Sequence, residues 1–261
     1  MVCICLAVMM VAGVAPAADI TACSMVVNGT ADIVEFDARQ ADGTPVRLKG
    51  LLTSAGSAES APVVVMLPGG PGGPFPPYCY GAVVEQFASW GFATLMVASA
   101  TARYQDGRPV GEYSFADQAH HAYGAAAAIK SLMNADADGV VLWGHSHGGL
   151  SAIDAVSVNG QRADLSFHAA IAAAPVCPGN ARKLQSPLLL IVGTADRVIS
   201  VEWCRTYAAQ LQDSIDFEFL VLEDAGHAYW APAATGSSET AAARAADRTR
   251  EFLERYLRSA R

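Results

Sequence analysis

An apolar run, Val140-Val141-Leu142-Trp143, passes directly into Gly144-His145-Ser146-His147-Gly148-Gly149 and then into a helical pattern. Strand, sharp turn and helix in that order leave a serine at the apex of the turn. Gly144 and Gly148 fit the geometry because the strand end and the helix start pack together there, with no space for side chains. The turn also forces Ser146 into a strained backbone that exposes its hydroxyl. A bare Gly-x-Ser-x-Gly is common; set between a buried strand and a helix, it marks a nucleophile.

A serine needs a base to take its proton and a carboxylate to orient that base. Both follow downstream, in the order Ser, Asp, His. Pro187 to Gly193 reads as a buried strand, and Thr194-Ala195-Asp196 begins the loop after it. Phe217 to Leu222 reads as the next strand, followed by Glu223-Asp224-Ala225-Gly226-His227. Asp196 and His227 therefore sit just past the carboxyl ends of strands, where open α/β sheets build their sites. Asp196 has a plainer use as a cap for the helix starting near Val201, and Asp224 is the rival carboxylate. His145 and His147 form a His-x-His pair with no third ligand nearby, so no metal is expected. His145 is expected to pack at the turn and His147 to lie at the rim of the site. His120 and His121 read as structural, and His168 as the start of a strand. Two backbone N–H groups should hold an oxyanion. One is that of His147; the other comes from Pro68-Gly69-Gly70-Pro71-Gly72-Gly73-Pro74 after the strand 62–67. Proline has no N–H to donate, which leaves Gly70 as the best candidate.

A chain of 261 residues with 52% hydrophobic and 16% charged side chains suits one domain. Its net charge of −8, with no basic stripe, argues against a nucleic-acid partner. The first 18 residues carry no charged side chain, and Val2 to Val14 is apolar up to Ala15-Pro16-Ala17-Ala18. That stretch reads as a secretory signal peptide, too short and too interrupted for a spanning helix. A single domain over 19–261 then follows, exported to the periplasm or outside the cell, with no membrane anchor. Ile20-Thr21-Ala22-Cys23 resembles a lipobox, against which Asp19 counts. After leader removal Cys23, Cys79, Cys177 and Cys204 remain, suggesting two disulfides in one of three connectivities. Cys177 and Cys204 follow neighbouring strands and form the first choice, which leaves Cys23 for Cys79.

Along the chain, 24–37 and 44–53 read as a hairpin around Asp42-Gly43, 80–90 as a helix and 92–98 as a strand. Residues 100–112 form a polar loop with Arg103, Tyr104 and Arg108, a candidate substrate wall together with Trp230. Ser114 and Asp117 make an acidic capping box for a helix over 114–133. Further helices are expected over 201–212 and 239–257. Strands alternating with helices imply a mostly parallel sheet covered on both faces. No long apolar insertion follows Ala174, so little or no cap is expected over the site.

These residues resemble the dienelactone hydrolase family of the α/β-hydrolases over about 60–230. The segments that carry the likeness are Leu142 to Gly149, Leu189 to Asp196 and Ala225-Gly226-His227. Ala174-Pro175-Val176-Cys177 and Trp203-Cys204 look like the exported, cysteine-bearing members. The resemblance implies an α/β-hydrolase fold, no cofactor, and hydrolysis of small-molecule esters or lactones. By position it carries nucleophile onto Ser146, acid onto Asp196 and base onto His227. Two departures stand out. Dienelactone hydrolases proper have Cys where this chain has Ser146, and many relatives have His where it has Pro68. Gly-His-Ser-x-Gly-Gly also resembles cutinase-like polyester and lipid esterases. Gly69-Gly70-Pro71-Gly72 resembles proline peptidases, which usually carry a helical cap. A non-catalytic binding protein is a further alternative, against which the complete Ser, Asp, His order counts.

Overall fold

The computed structural model describes residues 31–54, 61–70, 80–99, 104–105, 108–109, 114–132, 139–157, 166–211, 214, 216–230 and 238–258. The leader, Cys23 and Cys79 lie outside them. In chain order the elements are β1 (Ala31–Arg39), β2 (Pro45–Thr53), β3 (Val63–Leu67), α1 (Gly81–Ser89), β4 (Ala93–Ala98), β5 (Tyr104–Gln105), β6 (Arg108–Pro109) and α2 (Phe115–Leu132). There follow β7 (Val140–His145), α3 (His147–Ala155), β8 (Ala170–Ala173), β9 (Leu188–Gly193), α4 (Val201–Ala209), β10 (Phe217–Leu222) and α5 (Glu239–Arg258).

Five strands, β3, β4, β7, β8 and β9, are buried along their whole length, as their predominantly apolar sequences favour in strands covered on both faces. They pair in parallel inside one eight-stranded sheet of order β1-β2-β4-β3-β7-β8-β9-β10. At one end β1 and β2 form the antiparallel hairpin expected from the sequence, and β2 runs antiparallel to β4. Burial in β2 largely alternates, as at a sheet end with one wet face.

Successive residues of β3 point to opposite faces, so the strand feeds two cores. Val63, Val65 and Leu67 join the layer containing Tyr123, Ile129, Ile153 and Tyr207 under α2, α3 and α4. Val64 and Met66 join Phe87, Trp143, Ile171 and Phe252 under α1 and α5. Along the sheet, β3 is followed in sequence by its neighbour β4, whereas the chain from β4 crosses β3 to reach β7. The order therefore reverses at β3 and β7, and a crevice opens past their carboxyl ends. The loop after β3 and the turn after β7 both empty into it.

Local signals explain the boundaries. The Ser114 amide donates to Asp117 Oδ2 at 2.7 Å and the Asp117 amide donates to Ser114 Oγ at 3.1 Å, the reciprocal box expected for α2. Asp117 Oδ1 also accepts the Ala41 amide, tying the β1–β2 turn to the helix. The strand expected from His168 begins at Ala170, although the His168 amide already donates to the Val140 carbonyl of β7. The helix expected to reach 212 ends at Ala209, where Gln210 and Leu211 donate to carbonyls three residues back and tighten the last turn. Within the loop 100–112 the short strands β5 and β6 pair. Residues 174–187 contain no helix, so nothing helical is inserted between β8 and β9.

Cys177 and Cys204 are joined in a disulfide, closing a separation of 27 residues between the loop after β8 and α4. A loop of that size contributes roughly 3–4 kcal/mol on the chain-entropy account.

The turn between β7 and α3 is the tightest point of the fold. A Cβ on Gly144 would fall 2.0 Å from the Gly148 carbonyl oxygen, and one on Gly148 would fall 2.0 Å from the Leu67 oxygen. Both opposing atoms are backbone and cannot swing aside. Gly148→Ala should therefore destabilise the fold by about 1–3 kcal/mol or more. Thermal unfolding measures this, with an expected drop of roughly 2–4 °C per kcal/mol; an unchanged midpoint would contradict the crossing described here.

Candidate active site

The residue at the apex, Ser146, has φ 54° and ψ −114°. That is the left-handed region, which a residue with a Cβ enters at a cost of about 1–3 kcal/mol. The turn holds it there through backbone bonds: the Ser146 amide donates to the Ala173 carbonyl, and the amides of Leu150 and Val176 donate to the Ser146 carbonyl. Ser146 is half-buried.

Asp196 and His227 meet. His227 Nδ1 lies 2.8 Å from Asp196 Oδ2, with the Asp196 side chain 1% exposed and that of His227 20% exposed. The other carboxylate oxygen, Oδ1, accepts the amides of Val198 at 2.7 Å and Ile199 at 2.9 Å. Burial alone would raise the carboxyl pKa. The bonds from His227 and from the two amides outweigh it and leave Asp196 below the usual carboxylate value. Its negative charge therefore persists at neutral pH. The capping alternative fails, because Ser200 caps α4 by accepting the Trp203 amide. Asp224 is exposed, and its amide donates to Thr194 Oγ1.

His145, next to the serine, is the centre of a buried chain of hydrogen bonds whose directions are fixed by chemistry. Its Nε2 faces the His227 carbonyl at 3.2 Å, and a carbonyl only accepts, so Nε2 carries the proton. Nδ1 then accepts the Tyr80 hydroxyl at 3.0 Å, and Tyr80 Oη accepts the Gly69 amide at 2.8 Å. Burial, with His227 nearby, pushes the His145 imidazole down to about 3, so it stays neutral. This chain ties the loop after β3 to the loop carrying His227. It also engages both His145 ring nitrogens, which makes the His145-x-His147 pair unsuited to a metal.

The loop after β3 reaches Ser146 directly: a Cβ on Gly69 would lie 2.9 Å from the Ser146 Cβ. The Gly69 amide is committed to Tyr80, and Gly70 follows it in the loop that abuts Ser146. Gly70 has φ +81°, which favours glycine there although a Cβ would meet open space.

His147 is not at the rim. It is 8% exposed, its ring stacks on Phe115 at 4.0 Å, and Nδ1 bonds Gln118 Oε1 at 2.8 Å. The first turns of α2 grip it, an arrangement invisible in the local sequence. Of the two candidates for a substrate wall, Tyr104 lies in β5. Trp230 packs against Tyr80, Trp143, His145 and Tyr229. It also lines an apolar pocket between α1 and α5.

Three large apolar residues not anticipated from the sequence lie in or after the loops at the carboxyl ends of β8 and β9. Val176, Val198 and Trp203 are 37%, 68% and 57% exposed, unusually open for large apolar side chains. The Val176 amide bonds the Ser146 carbonyl, that of Val198 bonds Asp196, and the Trp203 indole donates to the Cys177 carbonyl. The disulfide thus joins the segment next to Val176 to the helix that carries Trp203. Tyr80 and Gln118 were likewise not anticipated.

The dienelactone hydrolase family model matches residues 48–257. Among solved structures, the chain is similar to a dienelactone hydrolase-like promiscuous phosphotriesterase from metagenomic libraries. The TM-score is 0.64 at 18% identity, covering 87% of this chain and 99% of that one. It is similar to an esterase of Pyrococcus furiosus with a TM-score of 0.63 at 17% identity, covering 87% and 93%. It is also similar to esterase 2 of Thermogutta terrifontis, with a TM-score of 0.62 at 18% identity, covering 87% and 92%. These likenesses establish a shared fold. No curated protein sequence matches the chain.

In Asp196→Asn, the oxygen should stay with the Val198 and Ile199 amides, leaving the NH2 group facing His227 Nδ1. That nitrogen must then accept, and the ring proton moves to Nε2. Nitrogen NMR of the imidazole should show the exchanged tautomer in Asp196→Asn and the original one in Asp224→Asn. The same tautomer in both variants would dissociate Asp196 from His227.

Proposed function

The chain belongs to the dienelactone hydrolase family, and we propose that it is a serine hydrolase cleaving carboxylic esters or lactones. The observation that carries this reading is the 2.8 Å pairing of His227 with a buried, charged Asp196 on the sheet edge where the strained Ser146 stands.

In the proposed reaction, Ser146 Oγ attacks the ester carbonyl while His227 takes its proton. Asp196 holds the ring and stabilises the imidazolium that forms. The oxygen of the tetrahedral intermediate accepts the amides of His147 and Gly70. As the intermediate collapses, the C–O bond to the alcohol breaks and His227 returns its proton to that oxygen. Water then attacks the acyl-serine, with His227 again as base; the acyl–Oγ bond breaks, His227 returns the proton to Ser146 Oγ, and the acid leaves. The supporting features are backbone amides, one base and one carboxylate, with no step that calls for a cofactor.

Val176, Val198 and Trp203 favour esters with an apolar acyl or alkyl part, and the same exposed surface is what supports the polyester alternative. Export to the periplasm or beyond is proposed from the apolar leader 1–18 and is compatible with the Cys177–Cys204 disulfide. Among the described residues no helix is long and apolar enough to cross a membrane. The amino-terminal sequence of the secreted protein, expected near Ala18 or Asp19, tests the leader; retention of Met1 in that material would refute it.

Ser146→Ala should lose on the order of 10⁴ to 10⁶ in turnover of p-nitrophenyl esters while melting normally. Paraoxon provides a second arm, since the Thermogutta esterase is described as phosphorylated by it. Mass spectrometry should place one diethylphosphoryl group on the peptide containing Ser146. A phosphorylated residue elsewhere, or near-normal turnover in the variant, would assign the nucleophile to another side chain.

A further inference from the structure

Gln118 projects from the second turn of α2, 0% exposed, into the space between the loop after β3 and the first turn of α3. Its Nε2 lies 3.1 Å from the Pro68 carbonyl, and its Oε1 lies 2.8 Å from His147 Nδ1 and 2.9 Å from Ser151 Oγ. Only one orientation of the amide satisfies all three. Flipped, it would set two acceptors, Oε1 and the Pro68 carbonyl, against each other. The amide therefore donates to Pro68 and accepts from His147 Nδ1–H and from the Ser151 hydroxyl. That hydroxyl also lies 3.1 Å from the carbonyl of His147 itself.

The two backbone segments joined in this way are those that carry the proposed oxyanion donors. Pro68 lies two residues before Gly70, and its carbonyl is the anchor for the Gln118 amide. His147 contributes its own amide. We propose that Gln118 is the positioning residue that sets the separation of the two oxyanion donors, acting through Pro68 on one side and His147 on the other. It touches neither substrate nor reacting atoms. This rests on the reading of Ser146, His147 and Gly70 given above.

The proposal has a kinetic signature. Donor placement matters for the charged intermediate far more than for the bound ester, because the ground-state carbonyl makes weaker use of the hole. Gln118→Met keeps length and bulk and removes the donor and the strong acceptor. It should lower kcat on the order of 10–100-fold, as for a displaced donor or a misplaced reacting group, and leave KM within about twofold. Affinity for an apolar trifluoromethyl ketone, whose adduct bears the oxyanion, should fall by the same factor as kcat. A residue that only stabilised the fold would lower the melting temperature and leave kcat and ketone affinity of the folded enzyme in place. Gln118→Glu retains an acceptor for His147 and Ser151 with the same shape. It should show a smaller loss of the same kind, and it decides the matter if Gln118→Met does not fold. Wild-type kcat and ketone affinity in the folded variants, or a loss confined to KM, would overturn the proposal. Wild-type enzyme measured alongside separates the two readings. If it neither turns over esters nor takes a diethylphosphoryl group on Ser146, the function fails; if it does both while the variants match it, only the role of Gln118 fails.

Discussion

Everything at the carboxyl edge of the sheet hangs on a backbone crossing in which no side chain fits. The start of α3 passes over the ends of β7 and β3 so closely that a Cβ on Gly148 would sit 2.0 Å from the Leu67 oxygen. This approach brings the turn after β7 against the loop after β3, the two strands between which the sheet order reverses. It leaves Ser146 no helical or extended alternative, and the φ of 54° follows from it. The strain is sustained because four apolar, fully buried strands around the crossing give the chain nowhere else to go.

On that crossing, two buried polar chains fix what the apolar core cannot. Tyr80 and His145 link the Gly69 amide to the His227 carbonyl, and Gln118 links the Pro68 carbonyl to His147. Every bond in both chains has a direction dictated by a group that can only donate or only accept. Buried polar groups cost about 1–3 kcal/mol each when left unpaired, so neither chain can shift by one partner without a penalty. Pro68 and Gly69 are consequently held at successive positions from opposite faces of the sheet, Gln118 coming from the α2 side and Tyr80 from the α1 side.

How legible this was depended on whether an interaction is local. Ser146, Asp196 and His227 each follow a short apolar run, and the order of the three along the chain matches a strand-end arrangement; all of that is written in consecutive residues. The capping box of Ser114 and Asp117 was legible for the same reason, and the Cys177–Cys204 pairing because each cysteine follows one of two neighbouring strands. His147 was misjudged because its partners, Phe115 and Gln118, lie about 30 residues upstream. A weak signal was nonetheless present. Gln118 falls on the stripe with Ala122, Ala125 and Ile129, all buried, beside the equally buried His121. A polar side chain on a core-facing stripe implies a partner across the packing, though it does not say which. Val176, Val198 and Trp203 were harder still. Apolar residues in loops read as ordinary core or turn, and their exposure is visible only once the loops are folded.

The neutrality of His145 bears on how the site handles charge. A positive imidazole there would have a hydrogen on both nitrogens, and the Tyr80 hydroxyl would lose its acceptor while still receiving the Gly69 amide. It would also place a second cation close to His227, whose ring centroid is 4.7 Å away, and compete with His227 for the field of Asp196. Burial prevents this by holding His145 down to about 3. The only full charge fixed within the described hydrogen-bond chains is then the Asp196 carboxylate, itself anchored by two backbone amides. With the Asp196 side chain 1% exposed, this single charge aimed at one ring nitrogen is screened less than a surface carboxylate would be. On the proposed mechanism, the positive charge that arises on His227 as the serine is deprotonated therefore meets one undivided counter-charge, and the histidine beside the nucleophile remains a strut.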